Sequence, residues 1–132
     1  MADSKHKDIS YIENYVSKML TAYGVSDNIC VSTPPAALDS SWEDFVVIDV
    51  DRQRDLNAYA YGYVNVYLYA KPTGSSLSKN VSKLRKMEIA LREAVNNYHD
   101  PDYRSIIWYR EQDYDSTRNF HYDVIILKVI SK

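Results

Sequence analysis

Tyr59, Tyr61, Tyr63, Tyr67 and Tyr69 fall on the odd positions of one run, while Ala58, Ala60, Gly62, Val64, Val66, Leu68 and Ala70 take the even ones. Successive side chains of a strand point to opposite faces. The alternation therefore predicts a strand with phenol rings and Asn65 on one side and a small aliphatic surface, suited to a core, on the other. A tyrosine joins a broad apolar body to a hydroxyl that needs water or a partner, the combination enriched where a surface is partly covered by another molecule. With 13 Tyr against 2 Phe and 2 Trp, the aromatic surface of the chain is mostly amphipathic.

The 132 residues fit one domain, long enough to bury a core without disulfides or metal. Hydrophobic residues at 45% and charged ones at 26% exclude a disordered or membrane-embedded composition, and no apolar run approaches the roughly 20 residues that span a bilayer. Residues 1–8 are polar and charged, without the apolar core of a signal peptide, and read as a flexible tail ahead of a single domain over 9–132. Cys30 is the single cysteine, which removes any intrachain disulfide and, with three scattered histidines, any zinc site of the usual spacing. It reads as a small buried hydrophobe.

Ile9, Ile12, Val16, Met19, Leu20 and Tyr23 recur at three- and four-residue spacing ahead of Gly24, predicting an amphipathic helix over 8–23. A short edge strand over 28–33 ends at Pro34-Pro35, since proline gives no donor to a ladder. A loop over 34–43 then leads to a strand over 45–50, a polar connection over 51–57 and the tyrosine strand. Beyond the breaker Lys71-Pro-Thr-Gly-Ser-Ser, the stripe Val81, Leu84, Met87, Leu91, Ala94, Val95 and Tyr98 predicts a second helix, with Ser76 or Ser78 as its N-cap. Two strands over 105–113 and 119–130 follow, joined by a turn from Tyr114, and the last is apolar on both faces, as a central strand would be. Helix, strand pair, helix, strand pair predicts an α+β fold, a mainly antiparallel sheet of about four strands with two amphipathic helices packed on one face.

Residues with chemical potential are few. Asp49 and Asp51 place two carboxylates at a strand end, a weak cation signal without a third acidic ligand. His121 and Asp123 share a strand face but lack a third catalytic member, and a cross-strand polar pair accounts for them. His99 stands beside Asp100 and Asp102 at a helix end, where capping suffices. Lys79, Lys83, Arg85 and Lys86 read as a solvated helix face, and Gly24, Gly62 and Gly74 are too scattered to cradle a phosphate. The reading is a non-enzymatic chain with no catalytic residue, cofactor or metal.

The tyrosine face, by contrast, has three readings. Tyr59, Tyr61, Tyr63, Asn65, Tyr67 and Tyr69 make an adaptable protein contact surface. The same rings, with Lys71, Arg52 and Arg54 nearby, suit stacking of single-stranded nucleic acid, although the strand itself has no cation and a net charge of -2 gives no general attraction to a polyanion. In the third reading the rings cover a core with their hydroxyls in water or pair across strands.

The order of a leading helix ending at Tyr23-Gly24, the Pro34-Pro35 loop, strands over 45–50 and 59–70, a helix over 78–98 and a terminal hairpin resembles that of small phage tail-completion or tail-terminator proteins. The resemblance implies a structural protein of the virion, present in the bacterial cytoplasm during assembly. It implies a homo-oligomer, of a kind that tends to act as rings, that docks to other tail or connector proteins; composition and charge give no membrane partner and disfavour nucleic acid.

Overall fold

The first helix, α1 (Ile9–Ala22), forms where the apolar spacing places it and ends by a specific backbone device. The computed structural model describes residues 9–32, 41–55, 60–72, 79–115 and 120–131. Gly24 takes φ +65°, its N–H donates to Thr21 O at 3.2 Å, and Val25 N–H reaches Leu20 O at 3.1 Å. This is a Schellman stop, in which the left-handed residue is glycine because a Cβ there is strained. Val25 and Leu20 are both buried, completing the apolar contact that accompanies the motif.

The second helix, α2 (Val81–Asn97), is capped by Asn80, whose side chain accepts from Lys83 N–H at 3.1 Å. The cap expected at Ser76 or Ser78 is thus at Asn80, the residue whose short amide reaches back to the first turn; the two serines lie outside the described residues. Leu84, Met87, Leu91 and Ala94 form the buried stripe, whereas Val81, expected on it, stands 59% exposed at the helix start. Past the helix, Asp100 accepts from the N–H groups of Asp102 at 2.8 Å and Tyr103 at 3.1 Å, turning the chain into the next strand.

Five strands among the described residues make one sheet: β1 (Ile29–Val31), β2 (Asp44–Asp55), β3 (Ala60–Ala70), β4 (Tyr103–Asp115) and β5 (Phe120–Ser131). Their order is β1-β2-β3-β5-β4. The fold is α+β with two helices, and the sheet is mixed: β1 runs parallel to β2, with Cys30 opposite Val47, while the other pairings are antiparallel. The four long strands expected are joined by the short edge strand expected over 28–33, which is β1 and runs parallel to β2. The expected connection over 51–57 is corrected, because β2 continues to Asp55 opposite Ala60. Likewise Tyr114, expected in a turn, is in β4 opposite His121. Polar side chains suit a strand as well as a loop wherever the backbone still finds a ladder partner.

Each long outer strand has one irregularity. The register shifts between Val50 and Arg52 in β2, where Asp51 is extra, and between Ile107 and Tyr109 in β4, where Trp108 is extra. Both are bulges, which re-aim the residues beyond them.

Both helices pack on one face of the sheet. Val46, Ile48, Val64, Val66, Leu68, Ile125, Leu127 and Val129 meet Val16, Met19, Leu20, Leu84 and Leu91 in a continuous core. Each such aliphatic side chain contributes roughly 1.5–3 kcal/mol by leaving water. The two aliphatic sides expected from the sequence, on β3 and on β5, are thus the helix-facing sides.

Tyr15 of α1 locks this layer. Its ring centroid lies 6.0 Å from that of Tyr98 and 5.2 Å from that of Tyr103, and its hydroxyl donates to Ser105 Oγ at 3.1 Å. The second face of the sheet is turned away from the helices and is where the tyrosines stand.

Candidate functional site

Alternation along β3 puts Tyr63, Asn65, Tyr67 and Tyr69 on the face opposite the helices, and the ladder brings neighbours from the two flanking strands, β2 and β5, beside them. Tyr69 lies between Phe45 and Tyr122, Tyr67 between Val47 and Val124, Asn65 between Asp49 and Ile126, and Tyr63 between Arg52 and Lys128. Tyr61 pairs through its backbone with Arg54 and Ile130. Tyr59 lies outside the described residues.

The face has a closed end and an open end. At the closed end Phe45, Val47, Tyr69 and Phe120 are buried, with Cys30, Trp42, Tyr67 and Tyr122 packed partly buried against them. Tyr69 retains only 5% of its surface, so its ring belongs to a second core rather than to a contact surface. Phe45 contacts Trp42 at 5.9 Å and Phe120 edge-on at 5.3 Å, and Tyr122 stands 4.8 Å from Tyr69. Cys30 is half-buried there rather than fully enclosed, and burial pushes its thiol pKa up.

At the open end Tyr63 is half-buried and meets Trp108 edge-to-face, with centroids 5.7 Å apart and planes at 61°. Trp108 is 58% exposed and Ile106 43% exposed, and Lys128 Nζ lies 5.7 Å from the centre of the Trp108 ring. An indole in contact with a phenol, an ammonium group over the indole and an exposed branched aliphatic side chain on the same face offer an apolar contact with a positive rim. Trp108 stands two residues after Ile106 and so keeps to the tyrosine face by ordinary alternation, with the register shift changing the facing of the residues that follow it.

Trp108, Ile106 and Lys128 are the members that the alternation in β3 alone does not identify. They come from strands distant in sequence, and only the ladder order places them beside Tyr63. The signal within reach was the row Phe120, Tyr122, Val124, Ile126 and Ile130 on one side of β5, a second apolar face that needs a neighbour.

The other candidates are distributed differently. Asp123 is buried on the helix side, where Lys79 Nζ approaches its carboxylate at 3.4 Å. Lys83 binds Asp44 at 2.8 Å, tying α2 to the start of β2. Lys79 and Lys83 therefore serve ion pairs with the sheet instead of a freely solvated face, while Arg85 and Lys86 are exposed. Glu88 holds both Arg92 at 3.3 Å and Arg110 at 3.1 Å. A cleft of about 150 Å³ between Lys79, Arg85, Glu88, Arg110 and Asp123 is occupied at its polar edges by these pairs.

Asp49 stands on the tyrosine face opposite Asn65, and Asp51 is the extra residue of the β2 bulge. Among the described residues no group of three or more His, Cys, Asp or Glu side chains is placed to hold a metal ion. Nor is any helix among them long and apolar enough to cross a membrane.

No protein-family model matches the chain, and no curated protein matches it.

Proposed function

We propose that the chain is a non-enzymatic assembly subunit that associates with copies of itself and docks to other proteins through the sheet face opposite its helices. The observation that supports this most is the open end of that face, where Trp108 at 58% exposure meets Tyr63, and Ile106 at 43% exposure lies opposite Lys128 on the same side. Scattered surface hydrophobes are ordinary, but a clustered aromatic and aliphatic patch rimmed by polar groups marks a contact site. Tryptophan and tyrosine are also the residues on which binding energy concentrates.

The particular assembly we favour is that of phage tail-completion and tail-terminator proteins, working in the virion and in the bacterial cytoplasm during assembly. The element order α1-β1-β2-β3-α2-β4-β5 is in keeping with it. The test is absolute mass in solution by light scattering after size exclusion, across a concentration series. A mass above that of one chain, reduced by Tyr63→Ser and Trp108→Ser, is the expected result. A single-chain mass for the native protein at every concentration would sink self-association.

The second reading is a single-stranded nucleic-acid binding module. Lys128 over Trp108 is the observation in its favour, because a ring to stack a base and a cation for the backbone stand together. A labelled oligonucleotide titrated at low and moderate salt separates the readings: salt-sensitive binding would favour this one, and none at low salt removes it.

A further inference from the structure

Beside its buried stripe, α2 presents a second one. Val81, Arg85, Ile89 and Arg92 follow one another at steps of four, four and three residues and so share a helix face. All four are exposed, and Val81 and Ile89 are exposed apolar side chains alternating with the two arginines.

This stripe is one wall of a groove, and Arg110 of β4, which lies opposite the core residue Ile125 and so on the helix side of the sheet, belongs to the other wall. A cleft of about 150 Å³ beside Val81 is continued by one of about 230 Å³ beside Ile89, and the two share Arg85, Glu88 and Arg110. Val81 therefore stands at one end and Ile89 at the other, about 12 Å apart along the helix axis.

Charge fills the middle. Lys79, Arg85, Arg92 and Arg110 are met by two carboxylates among the lining residues, Glu88 and Asp123. Asp123 is matched by Lys79, and Glu88 takes Arg92 on one oxygen and Arg110 on the other, while Arg85 has no ion-pair partner among the described residues. The lining thus keeps an excess of positive charge in a chain whose net charge is -2. The Glu88 side chain retains only 12% of its surface, so two guanidinium groups are steadied by a nearly enclosed carboxylate. Each carries more N–H groups than one carboxylate oxygen takes up, which leaves donors for a ligand.

We infer that this groove docks an extended acidic segment of a partner protein, with its carboxylates on Arg85, Arg92 and Arg110 and an apolar side chain at each end, on Val81 and on Ile89. Charge complementarity selects the acids, because guanidinium groups take carboxylates through paired, charge-assisted bonds. A strand-like segment advances about 3.3 Å per residue, so its two apolar side chains stand about four positions apart. The apolar ends, and the repulsion that a continuous phosphate backbone would meet at Glu88 and Asp123, favour this occupant over a nucleic acid. The groove lies on the helix side, away from the tyrosine face, and is a second docking surface that does not depend on the self-association proposed above.

The probe is a fluorescein-labelled peptide with the order leucine, glutamate, serine, glutamate, leucine, titrated with the native chain at low salt and followed by fluorescence anisotropy. Saturable binding is expected, weakened about tenfold by Arg85→Glu or by glutamine in place of both peptide glutamates, and about threefold by Ile89→Ser. Arg85 and Ile89 are exposed, and circular dichroism checks that the variants fold. Absence of saturable binding up to about 1 mM protein, or binding that Arg85→Glu leaves as tight as native, overturns the inference. A single-stranded oligonucleotide that binds more tightly than the peptide and is lost with Arg85→Glu assigns the groove to nucleic acid and overturns it likewise. Solution mass is read alongside: a chain that stays single yet binds the peptide keeps this groove and loses the tyrosine-face contact, and the converse result does the opposite.

Discussion

Phe45 and Tyr69 stack with ring centroids 4.2 Å apart and planes 10° from parallel, on the side of the sheet away from both helices. This contact divides the tyrosine row in two. Tyr69 supports the fold, while Tyr63, six residues earlier on the same face, faces outward beside Trp108. Tyr69→Ala should cost about 3–4 kcal/mol of stability, the loss typical of an enclosed aromatic ring. Tyr63→Ser should stay within about 1 kcal/mol. Urea unfolding of the two variants decides the matter, and equal losses would mean the face is closed at both ends.

Association should follow the reverse order. Trp108→Ser is expected to weaken self-association by at least about tenfold, as central tryptophans in contacts do, with an unchanged far-ultraviolet dichroism spectrum. Loss of the folded spectrum would instead make the indole a structural element.

The buried Tyr103 hydroxyl makes no hydrogen bond of ordinary length and angle among the described residues, although the Ser131 side chain is close enough to oppose the burial-driven rise in its pKa. Removing an unpaired buried polar group relieves its desolvation cost. Tyr103→Phe should therefore melt at the native temperature or above it, by up to about 1 kcal/mol in stability. A clear loss would show that the hydroxyl has a partner in solution.

The pH dependence at the alkaline end follows from the same layer. Burial raises the pKa of Tyr15, and of Tyr103 with help from Asp102 and Asp100, above the ordinary tyrosine value of 10.0. Below that value both phenols are protonated whether the chain is folded or not, so their contribution is constant. Above it the unfolded chain releases protons that the folded chain retains, and stability falls until the folded values are passed. Thermal melting should be level for these groups up to about pH 9 and decline beyond about pH 10. A Tyr15→Phe, Tyr103→Phe double variant should decline less steeply.

Asn80→Ala removes the cap of α2 and should cost about 1 kcal/mol. Ser78→Ala, at a position the sequence offered for that cap, serves as the comparison. A larger loss from the serine would restore the sequence-based assignment.

The helices and their buried stripes were legible because three- and four-residue spacing is local: Val16, Met19, Leu20, Leu84 and Leu91 need only their own helix to be recognised. The two strong alternations, in β3 and β5, were legible for the same reason. What escaped depends on partners far along the chain. Arg52 and Arg54 look like loop residues until β3 is seen pairing with them. Lys79 looks solvated until Asp123, buried on a strand 44 residues away, is seen to receive it. Trp108 keeps step with Ile106, but nothing in β4 by itself shows that this side meets Tyr63 rather than the helices. The tyrosine row was legible as a face but not as two zones, since the closing rings Phe45 and Phe120 come from other strands.

The arrangement of strands also bears on how the protein is made. β3 belongs to the first hairpin and β5 to the second, yet these two lie side by side at the centre of the sheet. A ribosome that has delivered everything before Phe120 has produced a first hairpin whose inner edge, through Val64, Val66 and Leu68, is bare. Pairing across such a sequence distance is slow to form. A growing chain therefore holds an open hydrophobic border from the completion of β3 at Ala70 until Phe120–Ser131 is delivered and closes it.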